Sequence, residues 1–73
     1  MPHITIQMYP GRDAETKKKL AEAILKTASE ELKRGPEHFS VSIEDVPQDE
    51  WTEKVYKKVT DPENKNVIIK PGY

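Results

Sequence analysis

Residues 1–12 read MPHITIQMYPGR, and the pattern within this stretch decides how the chain folds. From residue 3 to residue 9 apolar and polar side chains alternate, which places Ile4, Ile6 and Met8 on one face. A period of two residues is typical of a strand with one side turned to a core and the other to water. The first element is therefore predicted to be a strand whose apolar face needs a covering layer.

A turn and a long helix follow this strand. Pro10-Gly11 is a turn signal, and Asp13 is a suitable N-cap residue. A helical pattern then runs from residue 14 to about residue 33, where Gly35 as the C′ residue and Pro36 are expected to end it. The apolar side chains of this helix recur every three or four residues and form one stripe: Leu20, Ala21, Ile24, Leu25, Ala28 and Leu32. We expect this stripe to pack against the sheet.

The second strand comes after this helix. Phe39, Val41 and Ile43 alternate with polar residues up to Val46-Pro47. Two strands joined by a helix of about twenty residues must run parallel, with a right-handed crossover. The predicted fold class is therefore α+β, built on a βαβ unit. A two-stranded sheet is not stable alone in water, so we expect the unit to pair with another copy.

A second, shorter helix is predicted from about Gln48 to Val59, with Trp51 and Val55 on one stripe. A tryptophan at this spacing can belong to the core or line a ligand pocket, and the pattern allows both roles. After a polar turn, residues 67–69 form an apolar, β-prone run. Packing of this run across a dimer interface would remove it from water.

The composition bounds the class of protein. Seventy-three residues make a single domain, 1–73, whose core is marginal without disulfides, a metal or self-association, and the chain has no cysteine. The formal net charge of −1 gives no electrostatic reason to expect a nucleic acid or a membrane as partner. Without a signal peptide or transmembrane run, we expect a cytoplasmic, self-associating protein. His3 and His38 lack partners at metal-ligand spacing, so no metal site is predicted.

Pro2 is the candidate catalytic residue. If Met1 is removed, as a small second residue permits, Pro2 becomes an N-terminal secondary amine. An α-amino group titrates near ~7.7–8.0, and burial in an apolar pocket beside an arginine would lower that pKa. Pro2 would then be a neutral base at physiological pH. The alternative is that Pro2 only fixes the backbone before an edge strand.

The combination of Pro2 opening a strand, Gly11-Arg12 after it, Trp51 and the ending Lys70-Pro71-Gly72-Tyr73 resembles the 4-oxalocrotonate tautomerase family. It is most similar to the dimeric, phenylpyruvate-type branch. The resemblance implies that two βαβ units pair about a two-fold axis into a four-stranded sheet. Some members stack three such dimers into a hexamer. The tail of this chain differs from the glycine-rich hairpin of the hexameric members, so a homodimer is expected here.

The resemblance also implies a site. Pro2 would be the general acid and base, and Arg12 would bind the substrate carboxylate with its two-pronged guanidinium. Ser40 occupies the position where 4-oxalocrotonate tautomerase carries a second substrate-binding arginine, which favours a monocarboxylate substrate. Trp51 would line the pocket and exclude water from the proline. No cofactor is needed, because the reaction only moves a proton.

The implied function is a keto–enol tautomerase for a 2-keto acid or its enol, such as phenylpyruvate. Two alternatives stay open from the sequence. If Met1 is retained, the proline nitrogen is locked in an amide, and the chain would be a non-catalytic oligomeric binding module of the same fold. A hydratase or dehalogenase that uses the same proline is the other alternative.

Overall fold

The computed structural model describes all 73 residues. In chain order the elements are β1 (His3–Met8), α1 (Ala14–Leu32), a 3₁₀ turn (Pro36–His38), β2 (Ser40–Asp45), a 3₁₀ turn (Gln48–Glu50), a π-helical turn (Thr52–Tyr56) and α2 (Lys57–Val59). The last three elements follow one another closely, and residues 48–59 are called the helical segment below. This order confirms the predicted α+β class, the βαβ unit and the second short helix.

The two strands form a parallel sheet. The register runs from His3 opposite Ser40 to Met8 opposite Asp45. One further hydrogen bond lies beyond each end of the paired residues: the Ser40 N–H donates to the Pro2 carbonyl at 3.2 Å, and the Val46 N–H donates to the Met8 carbonyl at 2.8 Å. The pairing therefore fixes the backbone of Pro2 at one end of the sheet.

Helix α1 begins as its sequence predicts. Asp13 is the N-cap residue, and its side chain accepts a hydrogen bond of 2.8 Å from the main-chain N–H of Thr16. Lys17, in the first turns of α1, forms an ion pair of 2.7 Å with Asp45 at the end of β2. This contact links the start of α1 to the end of the sheet where both strands finish.

The end of α1 differs from the prediction. Lys33, with φ 55°, takes the left-handed conformation that was expected at Gly35, whose φ is −66°. The main-chain N–H groups of Lys33 and Arg34 both donate to the Ser29 carbonyl, and the Ser29 hydroxyl donates to the Arg34 carbonyl. These bonds close the helix two residues before Gly35, so the assignment of Gly35 as the C′ residue is wrong.

The two faces of the sheet differ as the alternation predicts. On the face that α1 covers, the apolar side chains are half-buried: Ile4, Ile6, Met8, Val41 and Ile43. The opposite face carries exposed polar residues, called the polar ladder here: His3, Thr5, Gln7, Ser40, Ser42 and Glu44. Its members bond to one another, with the His3 ring 2.6 Å from the Ser40 hydroxyl and 3.0 Å from the Ser42 hydroxyl. The polar ladder therefore needs no apolar covering.

The interior of one copy is small. Only Val46, at 0% exposure, and Val55, at 6%, are buried. No residue of α1 is buried, and Ile68 and Ile69 are 88% and 87% exposed. The β-prone run that contains them forms no strand in this structure. None of the helices has both the length and the apolar character needed to cross a membrane.

The N-cap gives a prediction about pH. Hydrogen bonds from Thr16, through its side chain and its main-chain N–H, hold the pKa of the Asp13 carboxyl below its ordinary value of 3.8. A carboxyl with a lower pKa in the folded chain adds stability above its unfolded pKa, and this stability is lost as the pH falls through its folded pKa. Asp13→Ala should therefore lower Tm at pH 7, and the difference from the unaltered protein should shrink below about pH 4.

The control for this cap is Asp13→Asn, which keeps a side-chain oxygen able to accept the Thr16 N–H bond. This variant should retain most of the Tm at pH 7. Equal Tm values for Asp13→Ala and the unaltered protein at pH 7 would show that the cap does not stabilise the fold.

A second prediction concerns association. A chain that buries only Val46 and Val55 has too little interior for a stable isolated fold of this size. Sedimentation should therefore detect a dimer at least at micromolar concentration, and Tm should rise with protein concentration because association stabilises the folded chain. A folded monomer whose Tm does not change with concentration would contradict this prediction.

Candidate functional site

A pocket of about 520 Å³ opens at the end of the sheet where β1 finishes. Its volume lies within the range of small-molecule sites. Its walls are mostly apolar or aromatic, with one cation and no acidic residue: Gln7, Met8, Tyr9, Arg12, Trp51 and Tyr73. The lining therefore suits an anion that carries an apolar body.

Two of the aromatic side chains that line this pocket pack against each other. Tyr9 follows β1 directly, and its ring lies edge-on to the ring of Trp51, with 5.0 Å between the ring centroids and 84° between the planes. Trp51 precedes the π-helical turn and is half-buried. It packs on Tyr9 and also lines the pocket, but it is not one of the two buried residues of the chain.

Arg12 reaches the pocket from the loop between β1 and α1. Gly11 makes the turn possible with a φ of 128°, a conformation that side-chain-bearing residues rarely adopt. No atom lies within 4 Å of the place that a Gly11 Cβ would occupy, so the glycine is required for its φ and not for space. Arg12 takes part in none of the ion pairs of the chain. Its guanidinium is therefore available to an anionic ligand.

Tyr73 also lines the pocket and is in contact with Tyr56. The Tyr56 hydroxyl donates to the main-chain oxygen of Tyr73 at 3.2 Å. The two rings lie 5.9 Å apart at 37°. Tyr56 directly follows the buried Val55 in the helical segment.

Pro2 and Ser40 lie at the other end of the sheet. They are neighbours through the Ser40 N–H bond to the Pro2 carbonyl, and Pro2 is half-buried. The Ser40 hydroxyl is bonded to His3 in the polar ladder. Strand β1, which has six residues, separates Pro2 from the Arg12 loop. At the usual rise per residue this is roughly 20 Å.

The structure thus brings Arg12 together with Trp51, and Pro2 together with Ser40, but it does not gather all four into one pocket of a single copy. The expectation of an arginine beside Pro2 is not met within one chain. The physical reason is that the extended strand β1 lies between them.

Sequence reasoning missed two wall residues, Tyr9 and Tyr73. Tyr9 is the last of the alternating residues 3–9, and it was not predicted to have a role in the site. Its place directly after a parallel strand was a usable signal, because ligands bind outside the carboxyl ends of such strands. Tyr73 had no local signal, since the contact with Tyr56 joins residues seventeen positions apart.

Comparisons with known proteins agree on one family. A family model described as "Tautomerase enzyme" matches residues 2–60. A probable tautomerase of Xylella fastidiosa is 32% identical over 73 residues, which cover all of this chain and 89% of the relative. Proteins named tautomerase PptA from Pectobacterium carotovorum and Pectobacterium atrosepticum are 28% and 27% identical over 74 residues, again across all of this chain and 97% of each relative.

Proposed function

Because this chain belongs to the tautomerase family, whose members are isomerases, we propose that it interconverts the keto and enol forms of a 2-keto acid, with Pro2 as general acid and base. A monocarboxylate such as phenylpyruvate is the proposed substrate class. The observation that carries this proposal is the unpaired Arg12 in a pocket with aromatic walls and no acidic residue.

Arg12 is proposed to hold the substrate carboxylate. A guanidinium presents two parallel N–H donors that match the two oxygens of a carboxylate. No Asp or Glu side chain lines the pocket to compete for this cation. Met8, Tyr9 and Trp51 supply apolar surface for the rest of the ligand. One anchored charge and an apolar body describe a monocarboxylic 2-keto acid and its enol.

Pro2 is proposed to move the proton once Met1 has been removed. In the enol-to-keto direction a proton leaves the enol oxygen and a proton is added at carbon 3, and the reverse reaction takes a proton from carbon 3. No electrons are gained or lost, and no group leaves. A secondary amine is suited to both steps, because an α-amino group titrates near ~7.7–8.0 and can exchange protons near neutral pH.

The separation of Pro2 from Arg12 favours a site shared between two copies. A two-fold axis that pairs the same edge strand of two subunits makes those strands antiparallel. Pairing β1 with β1 would then bring Pro2 of the partner subunit to the end of β1 where Arg12 and Trp51 lie. Pairing through β2 would leave Pro2 and Arg12 apart. We therefore propose a homodimer joined through β1, in which each pocket uses residues of both subunits.

Ser40 is proposed to shape the Pro2 end of the site. It positions Pro2 through the main-chain bond, and it adds no charge beside it. Arg12 is then the single cation that the proposed site offers to the substrate. A ligand with two carboxylates would have one of them without a cationic partner, which favours monocarboxylates.

A mixing experiment tests the shared site. Pro2→Ala should lose most of the ketonisation rate with phenylenolpyruvate, because a primary amine on a freer chain replaces the held ring. Arg12→Ala should lower kcat/KM by roughly ten- to a hundredfold, since a hydrogen bond to a charged group contributes about 1.5–3 kcal/mol. Refolding the two variants together in equal amounts should restore about a quarter of the unaltered activity, because half of the dimers then contain one intact site.

The control is the intact mass of the unaltered protein, which must show that Met1 is absent. Mixed variants that stay as inactive as each alone would place Pro2 and Arg12 in the same subunit's site and contradict the shared arrangement. Full activity of Pro2→Ala would remove the proline from the mechanism. A protein that retains Met1 in its native host would instead favour the non-catalytic binding module.

The absence of a charged side chain at position 40 gives a separate prediction about substrate choice. Ser40→Arg should raise kcat/KM for 2-hydroxymuconate, a dicarboxylate, relative to a monocarboxylic enol, because the added guanidinium can pair with a second carboxylate. Ser40→Gln is the matched control with a long polar side chain and no charge. Steady-state rates with both substrates measure the ratio. A ratio that is the same in Ser40→Arg and Ser40→Gln would contradict the proposed place of Ser40.

A further inference from the structure

We propose that Tyr73, held in place by Tyr56, makes the pocket selective for 2-keto acids with an aryl side chain over those with an aliphatic one. This inference rests on the proposed function and assigns a role to two residues that the proposed chemistry does not use. Tyr73 acts by direct contact with the substrate side chain. Tyr56 is a positioning residue, because it touches Tyr73 and does not line the pocket.

The first support is that Tyr73 is exposed yet fixed. Tyr73 as a whole residue is 70% exposed, a degree at which a tyrosine is free to turn unless something holds it. Here the hydrogen bond of 3.2 Å from the Tyr56 hydroxyl fixes its main chain. The ring of Tyr56, 5.9 Å away, limits the space into which the Tyr73 ring can move. A held, exposed ring on the rim of a pocket is suited to contact a ligand.

The second support is the chemistry of the other walls. Tyr9 and Trp51 already meet edge to face at 5.0 Å, and Tyr73 adds a third ring to the same pocket. A pair of aromatic rings in edge-on or offset contact gains stabilisation beyond the burial of its surface, and an aliphatic chain lacks the ring that this contact needs. A cation, which such a cluster of rings can also bind, is disfavoured because Arg12 carries the same charge. The pocket therefore fits an aryl group joined to a carboxylate.

The third support is that Tyr73 is separable from the scaffold. Tyr9 and Trp51 pack on each other, so a change in either alters that contact. The Tyr73 ring pairs with the ring of Tyr56 and with neither Tyr9 nor Trp51. Truncation of Tyr73 should therefore remove a wall while the strands and α1 stay as they are.

The test compares two enols, that of phenylpyruvate and that of 4-methyl-2-oxopentanoate, in three variants. Tyr73→Ala should lower kcat/KM for the aryl enol by roughly tenfold, mainly through KM, and should lower that for the aliphatic enol much less. Tyr73→Phe keeps the ring and should retain the aryl-to-aliphatic ratio. Tyr56→Phe removes only the hydroxyl that bonds to Tyr73. Its aryl-to-aliphatic ratio of kcat/KM should fall between the ratios of the other two variants. Its kcat for the aryl enol should stay unchanged.

A binding measurement separates this inference from the proposed function. Trp51 is the one tryptophan of the chain, so quenching of its fluorescence can report binding of the unreactive acids 3-phenylpropionate and 4-methylpentanoate. If 3-phenylpropionate binds more tightly than 4-methylpentanoate and this preference is lost in Tyr73→Ala, the role of Tyr73 is supported. This holds even if the unaltered protein turns over neither enol and the proposed function fails. Equal losses for both ligands in Tyr73→Ala, or an unchanged preference, overturn the inference.

Discussion

The parallel pairing of β1 (His3–Met8) with β2 (Ser40–Asp45) is the constraint on which the rest of the structure depends. Parallel strands cannot be joined by a tight turn, so α1 must cross over one face of the sheet and cover it. The same pairing makes the two ends of the sheet chemically different. Pro2 and Ser40 meet at the end where both strands begin, and Arg12 lies in the loop at the other end. The proposed function therefore has to bring these two ends together.

Local patterns predicted the elements well and the contacts between them poorly. The alternation in residues 3–9 and the Asp13 cap depend on neighbours within a few positions, and both are observed. Gly35 was misassigned because a carbonyl and a hydroxyl of Ser29 close the helix earlier, a choice that composition does not reveal. Residues 67–69 have the composition of a strand, but they pair with neither strand of the two-stranded sheet in this structure.

For the candidate site, too, the residues were easier to predict than the contacts between them. The resemblance assigned roles to Pro2 and Arg12 residue by residue, but it did not state that β1 holds them roughly 20 Å apart in one copy. Tyr9 and Tyr73 escaped notice because their importance comes from contacts with Trp51 and Tyr56, which depend on tertiary packing. The resemblance therefore named candidate residues and left open where those residues would meet.

The two faces and edges of the sheet differ in how well they suit a second copy. The polar ladder has satisfied its own hydrogen bonds, for example between Gln7 and Glu44 at 3.0 Å, and it offers little apolar surface. The free edge of β1 offers unpaired main-chain groups, which another strand can satisfy. In the proposed dimer, association through that edge would enlarge the interior and place Pro2 against the aromatic pocket of its partner. Removal of water from the amine disfavours its cation, so the contact that completes the fold would also keep the base neutral.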